Sequence, residues 1–406
     1  MARSYSIKEF FRQMPNVLLA SFFQTRELFP DIDFSKLKET SPEPLFEAWL
    51  QLPEKERDVL DAEFQDIFLM GCEKGFLAII DEAQWHMQNE PEKYDAFIDE
   101  MSALPNHYYR AMRAFLDYPE YWKGAKHFYH ADNLSHWRKR KNLGHLPAAT
   151  DIASLAHLAD LIRGYFHQTE GRGNHCIVET LRRRDLDYFF AYPEDHSQHS
   201  VEWVNGEFGR RPHNPAFEIV FVYSQKDGTL DLNFRGSYKA VEPLQHMFAT
   251  AILKLNELPS NPKDPRVYDL NPLRSRNFSF NFAIHSGIQS VALKKIRFSP
   301  RGSQGVRITL EGNSNNDAYD IYNQIEVLAK AYPLHLYNVT QVELSVSMLI
   351  DINKRPKTFP VRLTYPNSSS LKYDEVGLKL RQMLEASGVE LKEPEVEKVM
   401  AEELEV

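Results

Sequence analysis

The run Phe217-Glu218-Ile219-Val220-Phe221-Val222-Tyr223, the turn Lys226-Asp227-Gly228 and the answering run Leu230-Asp231-Leu232-Asn233-Phe234 decide the fold class of this chain. Phe217, Ile219, Phe221 and Tyr223 recur at every second position, and Leu230, Leu232 and Phe234 match them beyond the turn. Period two sets these side chains on one face of a strand, and an Asp-Gly turn between two such runs is a strong local hairpin signal. Upstream, Tyr188, Phe190 and Tyr192 keep the same period, and a further strand is expected over 176–181. The stretch 171–260 therefore reads as an antiparallel meander closed by a helix over 238–258.

A connector rich in proline and asparagine, 259–272, leads into a second block over 273–390. A strand over 291–298 is expected to pair, through Arg301-Gly302-Ser303, with one carrying Val306, Ile308 and Leu310. A helix over 317–331 follows. Val342, Leu344, Val346, Met348 and Ile350 then alternate with Glu343, Ser345 and Ser347, and a strand over 359–365 precedes a helix ending at Gly388. Whether the two blocks share one sheet is left open by the sequence.

The first 170 residues have a different period. Ile7, Phe10, Phe11, Met14, Leu18 and Phe22 recur at three-to-four spacing, as do Ile152, Leu155, Leu158, Leu161, Ile162, Tyr165 and Phe166, with Gly171 and Gly173 ending the second set. Ser41-Pro42 is a helix-start signal. The expected fold class is thus α+β: an all-helical N-terminal domain (1–170), then a mainly antiparallel sheet domain built of two strand-and-helix blocks. An acidic tail, 391–406, closes the chain.

At 406 residues, with 43% hydrophobic and 12% aromatic residues, the chain can fill more than one core. It has no apolar run of about 18 residues and no basic-then-apolar leader, so neither a membrane span nor a secretory signal is expected. Two cysteines, Cys72 and Cys176, are too few for a disulfide framework, which with the missing leader suggests a cytoplasmic protein. The formal charge of −9 disfavours non-specific nucleic-acid binding by the whole surface. From 390 onward seven acids and two lysines contribute −5, so the rest carries only −4 and local basic patches remain open.

Three such patches stand out. Between Tyr121 and Lys141 there are six Lys/Arg against one acid, interleaved with rings, and Trp137-Arg138-Lys139-Arg140-Lys141 is its densest part. Cations suit phosphates and flat rings suit unstacked bases. The bland reading is a solvated basic loop between helices. The second patch is Arg182-Arg183-Arg184 at the end of a predicted strand, with Arg210-Arg211 in a later loop. Guanidinium forks match phosphates, although nearby acids also allow an ordinary salt-bridged surface. The third comprises Lys294, Lys295 and Arg297 with Arg301 and Arg307, which either meet a polyanion or blunt an edge strand.

Catalytic signals are thinner. His127 and His130, with Asp132 or His136, could face one metal ion, but the spacing matches no defensible zinc pattern. No phosphate loop, nucleophile elbow, HExxH helix or kinase signature occurs. Glu218 and Asp231 are expected to face solvent on an open sheet face. The reading is an interaction component, without cofactor, of a multi-protein bacterial system. Its helical half docks a protein partner and its arginine-rich patches contact nucleic acid or another phosphate-bearing ligand. The alternatives are a metal- or histidine-dependent phosphodiesterase using His175, Glu179, Asp185 or Asp187, and a purely structural subunit.

Overall fold

The computed structural model describes residues 4–204, 206–260, 266–302, 305–312, 320–350 and 355–391. The chain divides into two compact units, Met1–Asn133 and Leu134–Val406. The division lies well before 170, because the strand and helix that follow Asn133 belong to the sheet unit. No helix among the described residues is long and apolar enough to cross a membrane.

The first unit is helical: α1 (Ile7–Gln13), α2 (Asn16–Gln24), α3 (Glu43–Leu50), α4 (Glu54–Met70), α5 (Glu73–His86), α6 (Pro91–Ala103), α7 (His107–Asp117) and α8 (Pro119–Ala131). Its core gathers round Phe64 of α4. Phe10 stacks on that ring at 4.2 Å, and Phe22 and Trp49 lie at 5.0 and 5.4 Å. Ser6 and Asn106 cap α1 and α7 by accepting from first-turn backbone N–H groups. The α4–α5 corner is tight: a Cβ on Gly75 would lie 2.1 Å from the Met70 carbonyl oxygen, so only glycine lets the helices meet there. Glu82, whose Oε1 lies 3.2 Å from His86 Nε2 one turn along α5, is buried.

The second unit opens with β1 (Trp137–Arg140) and α9 (Ile152–Glu170). The meander follows as β2 (Cys176–Arg183), β3 (Leu186–Pro193), β4 (Gln198–Val204), β5 (Glu207–His213), β6 (Ile219–Ser224) and β7 (Thr229–Phe234), then α10 (Val241–Ala251). The second block holds β8 (Ile288–Pro300), β9 (Ile308–Glu311), α11 (Ile321–Ala331), β10 (Tyr337–Met348), β11 (Lys357–Thr364), β12 (Ser368–Ser369) and α12 (Glu375–Ala386). Ten of these strands form one antiparallel sheet, in the order β2-β3-β6-β7-β1-β12-β11-β10-β8-β9, and β4 and β5 form a separate two-stranded ribbon.

The two blocks therefore share one sheet, and the join is β1. Arg138 pairs with Leu232 of β7 on one side and Ser368 of β12 on the other. The anticipated basic loop is thus a central strand. The hairpin that set the fold class is β6–β7, in register from Ile219↔Phe234 to Ser224↔Thr229, with Gly228 at φ 59 in its turn. In β10, Val342, Leu344, Val346 and Met348 are buried as the alternation predicts, whereas Ile350 lies beyond the strand and is exposed. The second block's core joins these residues to Ile321 and Ile325 of α11 and Leu380, Met383 and Leu384 of α12. Leu158, Ile162 and Phe166 of α9 and Leu244 and Phe248 of α10 cover Phe189, Phe221, Leu230 and Leu232 in the first. Strands β6 and β7 are buried along their whole length on both faces, contrary to the expected open side. Of the acidic tail, residues 392–406 lie outside the described residues.

Candidate functional site

Burial and pairing take Trp137, Lys139 and Arg140 out of the first basic patch as a polyanion surface. Trp137 is fully buried, with its ring edge-on to Tyr373 at 4.9 Å, and so cannot stack a base. Lys139 Nζ lies 2.5 Å from Glu390 Oε1 and 3.8 Å from Asp231 Oδ2, with its side chain only 11% exposed. Antiparallel partners share a face, so Lys139 meets Asp231 directly across the β1–β7 pair. Arg381 of α12 approaches the same Asp231 oxygen at 3.8 Å and lies over the Tyr373 ring at 4.4 Å. The Tyr373 hydroxyl donates to that oxygen too. The bridge between Tyr268 and Glu390 brings Glu390 into the group.

Two buried cations thus face two buried carboxylates. Burial would raise the Glu390 carboxyl, but Lys139 and Arg381 outweigh it and hold the group below its ordinary range. Burial would likewise lower the Lys139 ammonium, and Glu390 and Asp231 hold it above its ordinary value instead. The arrangement is enclosed, and it joins β1, β7, α12 and the chain beyond α12. On the opposite face, Arg140 donates to Gln245 Oε1 of α10 at 3.4 Å and to the Pro259 carbonyl, while Arg138 lies 5.6 Å from the Tyr238 ring. Lys141 continues on the Lys139 side, close enough to Glu390 to lower its carboxyl further.

The second patch splits. Arg182, Arg183 and Arg184 sit at the β2–β3 turn: Arg182 pairs with Asp187 at 3.5 Å, Arg183 is buried, and Arg184 occupies the turn at φ 57. Arg210 and Arg211 lie on β5, which is strand and not loop. The ribbon leaves from the far end of β3. Eight residues at about 3.3 Å each separate that end from the turn by roughly 25 Å, so the two arginine groups do not converge.

The ribbon itself is exposed on both faces. Register from Gln198↔His213 to Val204↔Glu207 places His199, Val201, Trp203, Phe208, Arg210 and Pro212 on one face. Trp203 is 68% exposed, Phe208 and Val201 each 61%, and the two rings lie 5.2 Å apart. That face carries no acid, whereas the other holds Glu202, 3.9 Å from Arg211, and Glu207. The ribbon's root is fixed. Arg172 bonds Asp195 at 2.7 Å and lies over the Phe217 ring at 3.9 Å, and Asp195 N–H donates to the Pro215 carbonyl at 2.7 Å. Trp203 and Phe208 escaped the sequence reading. Their signal was the dipeptide Asn205-Gly206, a sequence pattern that favours hairpins.

The third patch is a charge ladder. Across four strands, Arg362, Glu343, Lys295 and Glu311 are successive register partners, with Glu343–Arg362 paired at 3.0 Å and Lys295 bonded to Glu311. Alternating signs neutralise this row and place charge on edge strand β9, which disfavours pairing with another chain, whereas Arg297 lies close enough to Arg307 of the same patch for the two to oppose each other.

The residues of the enzyme alternative do not meet. Glu179 and Asp187 point to opposite faces by register, and His175 and Asp185 flank opposite ends of β2. Asp231 and Glu218 do not face solvent together either, since Asp231 is buried in the ionic group. Burial pushes the Cys176 thiol up to about 12, leaving almost no thiolate at neutral pH. No cluster of three His, Cys, Asp or Glu able to hold a metal occurs among the described residues. Compared with protein-family models, curated proteins and solved structures, the chain matches none.

Proposed function

We propose that this chain is an interaction component of a multi-protein assembly, and that its β4–β5 ribbon holds single-stranded nucleic acid. One observation carries the reading: an acid-free ribbon face sets two exposed rings, Trp203 and Phe208, beside Arg210 and His199 on a fixed root. Rings stack on bases whatever the sequence, at about 1–3 kcal/mol per base, and a guanidinium pairs with phosphate. A specific observation favours a protein cleft as the second reading. Residues 198–213 hold two arginines and two glutamates, no net charge.

Titration of the full chain with oligothymidylate across a salt series, read by tryptophan fluorescence, tests this. Binding should quench Trp203, and Trp203→Leu should weaken it roughly 5- to 150-fold. Arg210→Ala should make the logarithmic salt slope shallower by about 0.7. Absence of binding at low salt removes the nucleic-acid reading and leaves the protein cleft.

A further inference from the structure

We infer that the helical unit carries a second docking site, a hollow for a partner segment that brings an apolar side chain next to a lysine or arginine. The hollow, of about 620 Å³, lies between the end of α2 and the chain that follows it. Its volume falls in the range of ligand pockets. Leu28, Phe29, Ile32 and Phe34 supply apolar walls, and Glu27 and Asp33 supply the charges. No lysine or arginine lines it.

The walls are held by the core. Phe29 meets the buried Phe23 ring edge-on at 4.8 Å, and Phe34 stacks on it at 5.9 Å. To turn the chain back, Glu27 and Phe29 both adopt φ 55, a left-handed conformation that bulky side chains rarely take. Leu28 N–H donates to the Phe23 carbonyl at 2.9 Å and fixes the turn between them. Asp33 caps the short helix Phe34–Lys36 and pairs with Lys36 at 2.7 Å. Glu27 differs, since its exposed carboxylate meets no cation among the described residues. A hollow that sets apolar walls beside an uncompensated carboxylate favours a basic-apolar segment over an acidic one.

The test is to pan a random-peptide display library against the full chain, with counter-selection against Ile32→Asp. Selected peptides are then measured by fluorescence anisotropy. They should pair an aliphatic or aromatic residue with a nearby lysine or arginine. Glu27→Lys, a surface change that leaves the core intact, should weaken them about fivefold or more. Trp203→Leu should leave them unchanged, which separates this site from the ribbon. Failure to recover peptides that discriminate wild type from Ile32→Asp overturns the inference. So does enrichment of acidic peptides, or binding indifferent to Glu27→Lys.

Discussion

Replacing Lys139 by methionine removes the ammonium that stands between two buried carboxylates while keeping most of the side-chain volume. Glu390 Oε1 lies 2.5 Å from Nζ and Asp231 Oδ2 lies 3.8 Å away. At an effective dielectric of about 20 those distances correspond to attractions of roughly 7 and 4 kcal/mol. Desolvation of all three groups offsets much of this. Deleting one partner of a buried pair typically costs about 3–5 kcal/mol, because the remaining charge is left buried and uncompensated. We expect that loss for the sheet unit, and a fall in Tm of roughly 6–20 °C. Urea unfolding followed by near-ultraviolet circular dichroism reports it, since Trp137 is buried two residues away against Tyr373. The control is Lys139→Met with Glu390→Leu, which removes both charges and leaves Asp231 with Arg381. Replacing a buried pair by apolar groups is often nearly neutral, so the double variant should recover most of the loss. A Lys139→Met loss below about 1 kcal/mol, the worth of an exposed salt bridge, would refute the reasoning. A double variant no more stable than the single one would refute it as well.

Four further outcomes follow, two from the ionic group and two from the helical unit. The Glu390 carboxyl is lowered by folding, so its contribution to stability is full above its unfolded value near 4.5 and is lost as pH falls through the lowered folded value. Glu390→Gln should flatten that acid limb in a stability-versus-pH series. Lys139, raised by folding, contributes fully below 10.5 and loses its share as pH rises through the higher folded value, so Lys139→Met should flatten the alkaline limb. In the helical unit, Gly75→Ala gains about 1 kcal/mol of helix propensity but drives its Cβ to 2.1 Å from a backbone oxygen. The clash should win, with a net loss of about 2 kcal/mol by urea denaturation, and a stabilised variant would contradict the tight corner. Asn106→Ala should cost the same unit about 1 kcal/mol, because Asn106 accepts from the Tyr108 and Tyr109 N–H groups at 2.9 and 3.1 Å, while Asn106→Asp should be neutral.

The elements legible in the sequence are those whose cause is local. In β6–β7 and β10 apolar residues recur at period two for several positions, so the pattern alone marks the strands, although the burial of both faces of β6–β7 depends on chain elsewhere. The helices of the first unit are legible for the same reason at period 3.6. Strand β1 was illegible because its cause is not local. Four residues reading Trp-Arg-Lys-Arg offer a local reader only charge, which in isolation belongs in water. They form a central strand because Glu390, 251 positions away, balances Lys139, and because β7 and β12 take up its backbone groups. One consequence reaches the candidate sites. A cluster of basic residues in sequence announces a polyanion surface only if each cation lacks a folded partner, and here Lys139, Arg182 and Lys295 each have one. On the ribbon Arg211 has Glu202 at 3.9 Å, but Arg210 on the opposite face passes that test where the dense patch fails it. Arg210 stands on an exposed, acid-free face beside two rings, so its two arginines, fewer than in either larger patch, include the cation best placed to meet something outside the chain.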